Sequence, residues 1–366
     1  MDWNDRYSRH YKLSGFGAAG QTKLQQSSVL VVGAGGLGCP ALQYLAAAGA
    51  GKIGIIDDGC IELSNLQRQV LFGTGEIGLS KAEVAATKLR LLNPEIEIQE
   101  YAVYLSTENA VELVEGYDVV LDCTDNFNTR YLLSDLCMLL DKPLVFGAIY
   151  QYEGQLAVFN VGGETTTYRH LFPLPPSPLD ALNCNEVGVL GVLPGIIGAM
   201  QATEAIKLLT GIGQPLSNKL MTINLLDNRT MLLDIPKNLL EEINFPTSLQ
   251  AFEAFDYDYH CGIRETSVQG ISPEEFMEVC RKGDVLVVDV RNADELPKLP
   301  FEHVQIPFHE LSDNLRKIDG KHVIVVCQSG KRSQIAGQFL LEKFGTDAFI
   351  SHLEGGVLNL EKYNNG

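Results

Sequence analysis

The chain has 366 residues and a mass of 40.1 kDa, enough for two or three domains with sizeable cores. Its 45% hydrophobic and 20% charged residues are ordinary globular usage and exclude a disordered, collagen-like or coiled-coil protein. A formal charge of −18, of which −14 falls in residues 1–260 and −4 in residues 261–366, repels nucleic-acid backbone and anionic lipid, so neither is expected as a partner.

The apolar runs are strand-sized or, from Val187 to Met200, broken by Gly and Pro; none reaches the ~20 residues of a membrane span. The amino terminus MDWNDRYSRHYKL lacks an apolar signal region, so the expected location is the cytoplasm. Eight cysteines without a CxxC pair read as reduced thiols, most of them buried fillers.

From Ser28 the chain alternates apolar runs with amphipathic stretches. Strands are predicted at 29–33, 52–57, 95–101, 118–123 and 143–149, with helices at Leu37–Gly49, Lys81–Leu92, Glu108–Glu115 and Thr129–Leu140. This alternation predicts an α/β fold, a Rossmann-like doubly wound parallel sheet with helices on both faces. EGQLAVFNV (153–161) alternates like an antiparallel extension. Residues 162–190 form a long Pro-rich connection, of a size that is usually functional. A Gly-interrupted apolar helix at Gly191–Thr210 and short strands near Leu220 and Met231 complete a first domain over 1–245. Residues 246–262 show no sustained period and read as a linker, with a coil reach of roughly 20–25 Å. A second, smaller α/β domain over 263–366 has strands at 285–290, 322–327 and 347–351, and helices at Pro273–Lys282, Lys331–Lys343 and around Val357.

Gly33-Ala-Gly35-Gly36-Leu-Gly38 follows a strand and opens a helix, and Asp57 ends the next strand. Glycines let the backbone approach a phosphate, the helix terminus offers free N–H groups, and an acid there accepts ribose hydroxyls. This pattern marks a nucleotide site without naming the nucleotide; NAD is the default, and an NAD-dependent oxidoreductase is the rival reading. The segment Ser64-Asn65-Leu-Gln-Arg68-Gln69, then Lys81, then Asp122-Cys-Thr-Asp125-Asn126, adds residues suited to a triphosphate. Arginine gives a fork for phosphate oxygens, lysine a compact charge, and a carboxylate a magnesium ligand. Singly, Lys81 could be a solvated charge on a first helical turn and Asp125 the N-cap of the helix after it.

Together with Asn183-Cys184-Asn-Glu-Val-Gly188-Val-Leu-Gly191, these segments resemble the MoeB/ThiF branch of the ubiquitin-activating-enzyme superfamily, over about the first 240 residues. That resemblance implies ATP-dependent adenylation of the C-terminal glycine of a ubiquitin-like sulfur carrier (MoaD- or ThiS-like). It implies that Arg68, Gln69 and Lys81 contact the phosphates, Asp57 the ribose and Asp125 Mg²⁺, with Asn65 supporting the loop. It implies a homodimer in which Arg9 reaches the partner's ATP site, and a thioester or acyl-disulfide role for Cys184. The sequence departs from the family in having Gly59 where a second acid often follows the second strand. It also departs at two zinc-binding CxxC pairs, matched here by Thr167-Tyr-Arg-His170 and Asp258-Tyr-His260-Cys261. Tetrahedral zinc wants four well-placed N or S donors, so no structural zinc is expected.

Cys327-Gln-Ser-Gly-Lys-Arg332-Ser333 places a thiol between a strand and a helix, where loop N–H groups, Lys331 and Arg332 favour a thiolate or persulfide. A cysteine phosphatase uses a similar cradle with a longer loop; the four residues between Cys327 and Arg332 favour sulfur. With Asp289 and Arg291 upstream and Gly355-Gly356 downstream, the segment 265–366 resembles the rhodanese sulfurtransferase domain. The joint expectation is adenylation followed by sulfur transfer from a Cys327 persulfide, charged by a donor such as a cysteine desulfurase, with a non-catalytic carrier-binding scaffold as the other alternative.

Overall fold

The computed structural model describes residues 6–162, 165–175, 188–237, 245–261, 268–283, 285–318, 322–344 and 349–365. The chain divides into two compact units that meet in sequence at Tyr257 and Asp258.

The first unit holds an eight-stranded sheet: β1 (Ser28–Val32), β2 (Lys52–Ile56), β3 (Glu97–Tyr101), β4 (Val119–Asp122), β5 (Leu144–Tyr150), β6 (Glu153–Phe159), β7 (Lys219–Asn224) and β8 (Arg229–Asp234). Their order is β3-β2-β1-β4-β5-β6-β7-β8; the first five in this order run parallel and the rest antiparallel. β1 and β4 are buried almost throughout because helices cover both faces, which is why they read as unbroken apolar runs. The chain leaves β1 toward β2 and β3, then crosses back to β4 on the other side of β1. That reversal opens a crevice at the carboxyl ends of β1 and β4, the usual ligand position in such sheets.

The apolar helix predicted at Gly191–Thr210 is present as Val192–Thr210. By length and composition it would suffice to cross a membrane. Here Leu193, Ile197, Ala202 and Ala205 belong to the first unit's core. Gly198 serves close packing: a Cβ there would lie 2.1 Å from Leu37 O, so only glycine lets this helix approach the start of the helix Gly38–Ala48.

A buried ion pair ties three distant segments of this unit. Arg169 Nε and one terminal nitrogen donate to the two oxygens of Asp135 at 2.7 and 2.8 Å, and both side chains are no more than 2% exposed. The Tyr257 hydroxyl donates to the same carboxylate at 2.8 Å, and the Arg169 guanidinium lies 4.8 Å from the Tyr131 ring centre. Just ahead of Tyr257, the stretch read from sequence as linker is structured: Leu249–Glu253 is helical, capped by Ser248, and Phe252 is fully buried.

The second unit is a five-stranded parallel sheet of β9 (Gln269–Ile271), β10 (Leu286–Asp289), β11 (Val304–Gln305), β12 (His322–Val326) and β13 (Phe349–Leu353), in the order β11-β10-β12-β13-β9. Its helices are Pro273–Lys282, Lys331–Phe344 and Gly356–Asn365, the first opened by a Ser272/Glu275 capping box.

Removing one partner of a buried pair strands a charge, so Arg169→Met is expected to destabilise the first unit by about 3–5 kcal/mol. The double variant Asp135→Leu/Arg169→Met should recover most of that loss. Urea unfolding of the full chain measures both.

Candidate active sites

In the first unit the glycine turn sits at the crevice. Gly33 has φ +96°, where an L side chain is strained, and a Cβ at Gly38 would lie 1.9 Å from Gly33 O. Asp57, at the end of β2, holds this turn: its Oδ2 accepts from Ala34 N at 2.7 Å and its Oδ1 from Gly59 N at 2.8 Å. Burial pushes the Asp57 carboxyl up, against the pull of Lys81 and of those two amides.

Lys81 opens the helix Lys81–Leu92, capped by Ser80. Its Nζ would stand 3.2 Å from a Cβ at Gly59, so the residue replacing the family's second acid leaves room for the ammonium beside Asp57.

Arg68 and Gln69 lie across the same turn. A Cβ at Gly36 would be 3.5 Å from Arg68 Cγ, and one at Gly35 3.8 Å from Gln69 Nε2. Asn65 supports their loop from below. It is buried, its carbonyl accepts from Arg68 N and Gln69 N at 3.1 and 2.9 Å, and its side chain accepts from Glu62 N at 3.3 Å. Arg68 also donates to Ser64 O at 3.1 Å. Gln69 Oε1 is buried and without a hydrogen-bond partner. Further along the loop, Lys88 Nζ donates to Leu71 O and Glu76 Oε2, each at 2.7 Å.

The segment after β4 divides its labour. Asp122 is buried and accepts from Thr124 N and Oγ1 at 3.0 and 2.7 Å. Arg130 donates to Thr124 O at 2.7 Å. The N-cap of the helix Phe127–Leu139 is Asn126, whose side chain accepts from Thr129 N at 3.0 Å. The capping role considered for Asp125 therefore falls to its neighbour, and Asp125 stays exposed beside the glycine turn, where a Cβ at Gly33 would touch Cys123 O.

The structure thus brings Gly33, Gly35, Gly36, Gly38, Asp57, Asn65, Arg68, Gln69 and Lys81 around one crevice, with Asp125 at its β4 side. Arg9 is exposed on the short helix Ser8–Tyr11, away from these contacts. Cys184 lies outside the described residues.

His170 is no spare ligand: its Nδ1 accepts from Thr167 N at 3.0 Å, and a backbone bond with Lys237 also acts on the ring. Among the described residues no cluster of three or more His, Cys, Asp or Glu is placed to hold a metal. A single carboxylate is still compatible with magnesium, which commonly takes one or two carboxylates together with substrate phosphates.

In the second unit Cys327 follows β12 and is fully buried. Gly330 N donates to its sulfur at 3.2 Å, and its thiol lies 3.4 Å from Ser333 Oγ. Arg332 is not turned over to the sulfur alone: its two terminal nitrogens donate to Glu295 at 2.8 and 2.6 Å. Arg291 is bound to Asp289 and bridges to Pro297 O and Gln328 Oε1 at 2.8 and 3.2 Å. These arginines brace the loop beside the sulfur cradle. Glu295 leaves no local signal in the sequence, because its partner Arg332 is 37 residues away.

Residues 7–241 match the ThiF family and residues 272–362 the rhodanese-like domain. The protein named Adenylyltransferase and sulfurtransferase MOCS3 of Drosophila grimshawi is 40% identical over a 372-residue alignment that covers 96% of this chain and 82% of that one. The Sulfur carrier protein adenylyltransferase of Thermus thermophilus is 47% identical over 264 residues, 71% of this chain and 97% of its own length. Among solved structures, Escherichia coli MccB with ATP has a TM-score of 0.58 at 24% identity, covering 66% of this chain and 74% of that chain, a likeness of fold alone. The chain belongs to the ThiF family, carries a C-terminal rhodanese-like domain, and is an enzyme of the adenylyltransferase and sulfurtransferase kind.

Proposed function

We propose that the first unit joins the C-terminal glycine of a ubiquitin-like sulfur carrier to AMP, and that the second supplies sulfur: a Cys327 persulfide displaces AMP from the carrier's acyl-adenylate to give an acyl-disulfide, and a thiol then cleaves its S–S bond, releasing the thiocarboxylate and leaving a disulfide on Cys327. What chiefly supports this reading is the meeting of the glycine turn, Asp57, Lys81 and Arg68 at one crevice.

A carboxylate is already nucleophilic, so its attack on the α-phosphorus needs no general base. It needs alignment and cancellation of charge, with pyrophosphate leaving. In this reading Arg68 and Lys81 meet the phosphates with Gln69, Asp57 accepts the ribose hydroxyls, and Asp125 would hold Mg²⁺. Magnesium, when bound, neutralises phosphate charge. Arg9 is assigned to the partner's site in a homodimer, which works in the cytoplasm. Cys184 is assigned to a thioester or acyl-disulfide with the activated carrier, and a cysteine desulfurase to charging Cys327. Residues 246–262 are taken to separate the two activities, and no structural zinc is included, the Asp135–Arg169–Tyr257 cluster serving as cross-link instead.

Exchange of labelled pyrophosphate into ATP is expected only when a carrier ending in glycine is present; no exchange with any carrier overturns the proposal. Cys327→Ala should abolish sulfur transfer from thiosulfate to cyanide and spare that exchange. Lys81→Met should lower ATP affinity at least about tenfold. Since Lys81 favours the ionised form of Asp57, its loss should also move the acid limb of ATP binding to higher pH, read by calorimetry between about pH 4 and 7.

A further inference from the structure

The helix Val192–Thr210 presents an apolar stripe to the sheet at Leu193, Ile197 and Ala205, and the stripe is interrupted by one amide, Gln201, which is 0% exposed. This amide bridges the carboxyl end of β4 and the start of β5. Its Nε2 donates to Asp122 O at 2.7 Å and to Val145 O at 3.2 Å, while its Oε1 accepts from Cys123 Sγ at 3.4 Å. The facing position on β5 is Gly147, where a Cβ would lie 2.5 Å from the Gln201 amide carbon, so the sheet leaves space for the amide.

Asp122 and Cys123 begin the segment that ends at Asn126. Its other side is held by the Asp122 side chain on Thr124, by Arg130 on Thr124 O and by the Asn126 cap. Every neighbour of Asp125 is thus fixed, and the Asp125 carboxylate alone is exposed. The same helix abuts the glycine turn at Gly198, against Leu37 O, so one rigid element sets the turn and the Asp125 segment in register.

We propose that Gln201 is a positioning residue for adenylation: by fixing the backbone of Asp122 and Cys123 it aims Asp125 at the magnesium of bound ATP. The assignment rests on the adenylation reading and on Asp125 as the metal's carboxylate. It separates two quantities that a merely stabilising amide would move together. Loss of the amide should weaken the metal-dependent part of ATP binding and leave the metal-free part, made by the glycine turn, Asp57, Arg68 and Lys81, unchanged.

The test titrates full-length protein with ATP in EDTA, then with Mg²⁺ at fixed ATP, following heat or ligand fluorescence. Gln201→Met is expected to raise the Mg²⁺ concentration for half-saturation about tenfold, with metal-free ATP affinity within about twofold of wild type. Gln201→Glu keeps the shape and, when protonated, one of the two donated bonds, and should give an intermediate rise of roughly threefold.

A half-saturation value unchanged in Gln201→Met, or an equal loss with and without metal, overturns the assignment. Should Gln201→Met fail to fold, a Gln201→Glu value equal to wild type overturns it instead. If wild-type protein binds ATP with Mg²⁺ and exchanges pyrophosphate while the variants match it, the Gln201 assignment alone falls. If wild-type protein does neither with any carrier, the adenylation reading falls and the assignment with it.

Discussion

The first unit depends on a single contact, the Asp57 carboxylate accepting the Ala34 amide at 2.7 Å. It fixes a glycine turn that is otherwise anchored by the core side chains of Ala34 and Leu37 and by backbone bonds, and it does so from the end of the neighbouring strand. The geometry is useful because the sheet reverses its winding direction there, leaving the carboxyl ends of β1 and β4 open to a ligand. Burial makes ionised Asp57 costly, and the Lys81 ammonium compensates. Binding chemistry and local stability therefore share the same pair of charges.

Around that contact the unit places its remaining charges by backbone means. Asn65 carries the Arg68 loop through two carbonyl-directed bonds, and Asn126 takes the capping duty that would otherwise occupy Asp125. A side chain relieved of structural work is available to a ligand, whereas one such as Asp122, buried and engaged with Thr124, is not. The second unit follows the opposite rule. Arg332 and Arg291 are both bound to carboxylates, and the Cys327 sulfur accepts from the loop amide of Gly330.

Much of this could be read from the residues. Alternating apolar and amphipathic runs gave both sheets, and the glycine turn, Asp57, Lys81 and the Cys327 loop all fall where their spacing put them. Three things could not be read. β9 and β11 are too short, at three and two residues, to show a period. The helix Leu249–Glu253 lies in a stretch without a sustained period, which reads as linker although Phe252 is fully buried. Long-range polar contacts such as Gln201 to Asp122 or Arg169 to Asp135 depend on tertiary placement; the only sequence trace of the first is an amide inside an apolar stripe.

The account stands on the crevice being a triphosphate site. Calorimetric titration of full-length protein with ATP and Mg²⁺, and separately with NAD, tests this most directly. Binding of magnesium-ATP that is lost in Arg68→Met, with no heat from NAD, is the predicted result. Tight NAD binding with none for magnesium-ATP would contradict it.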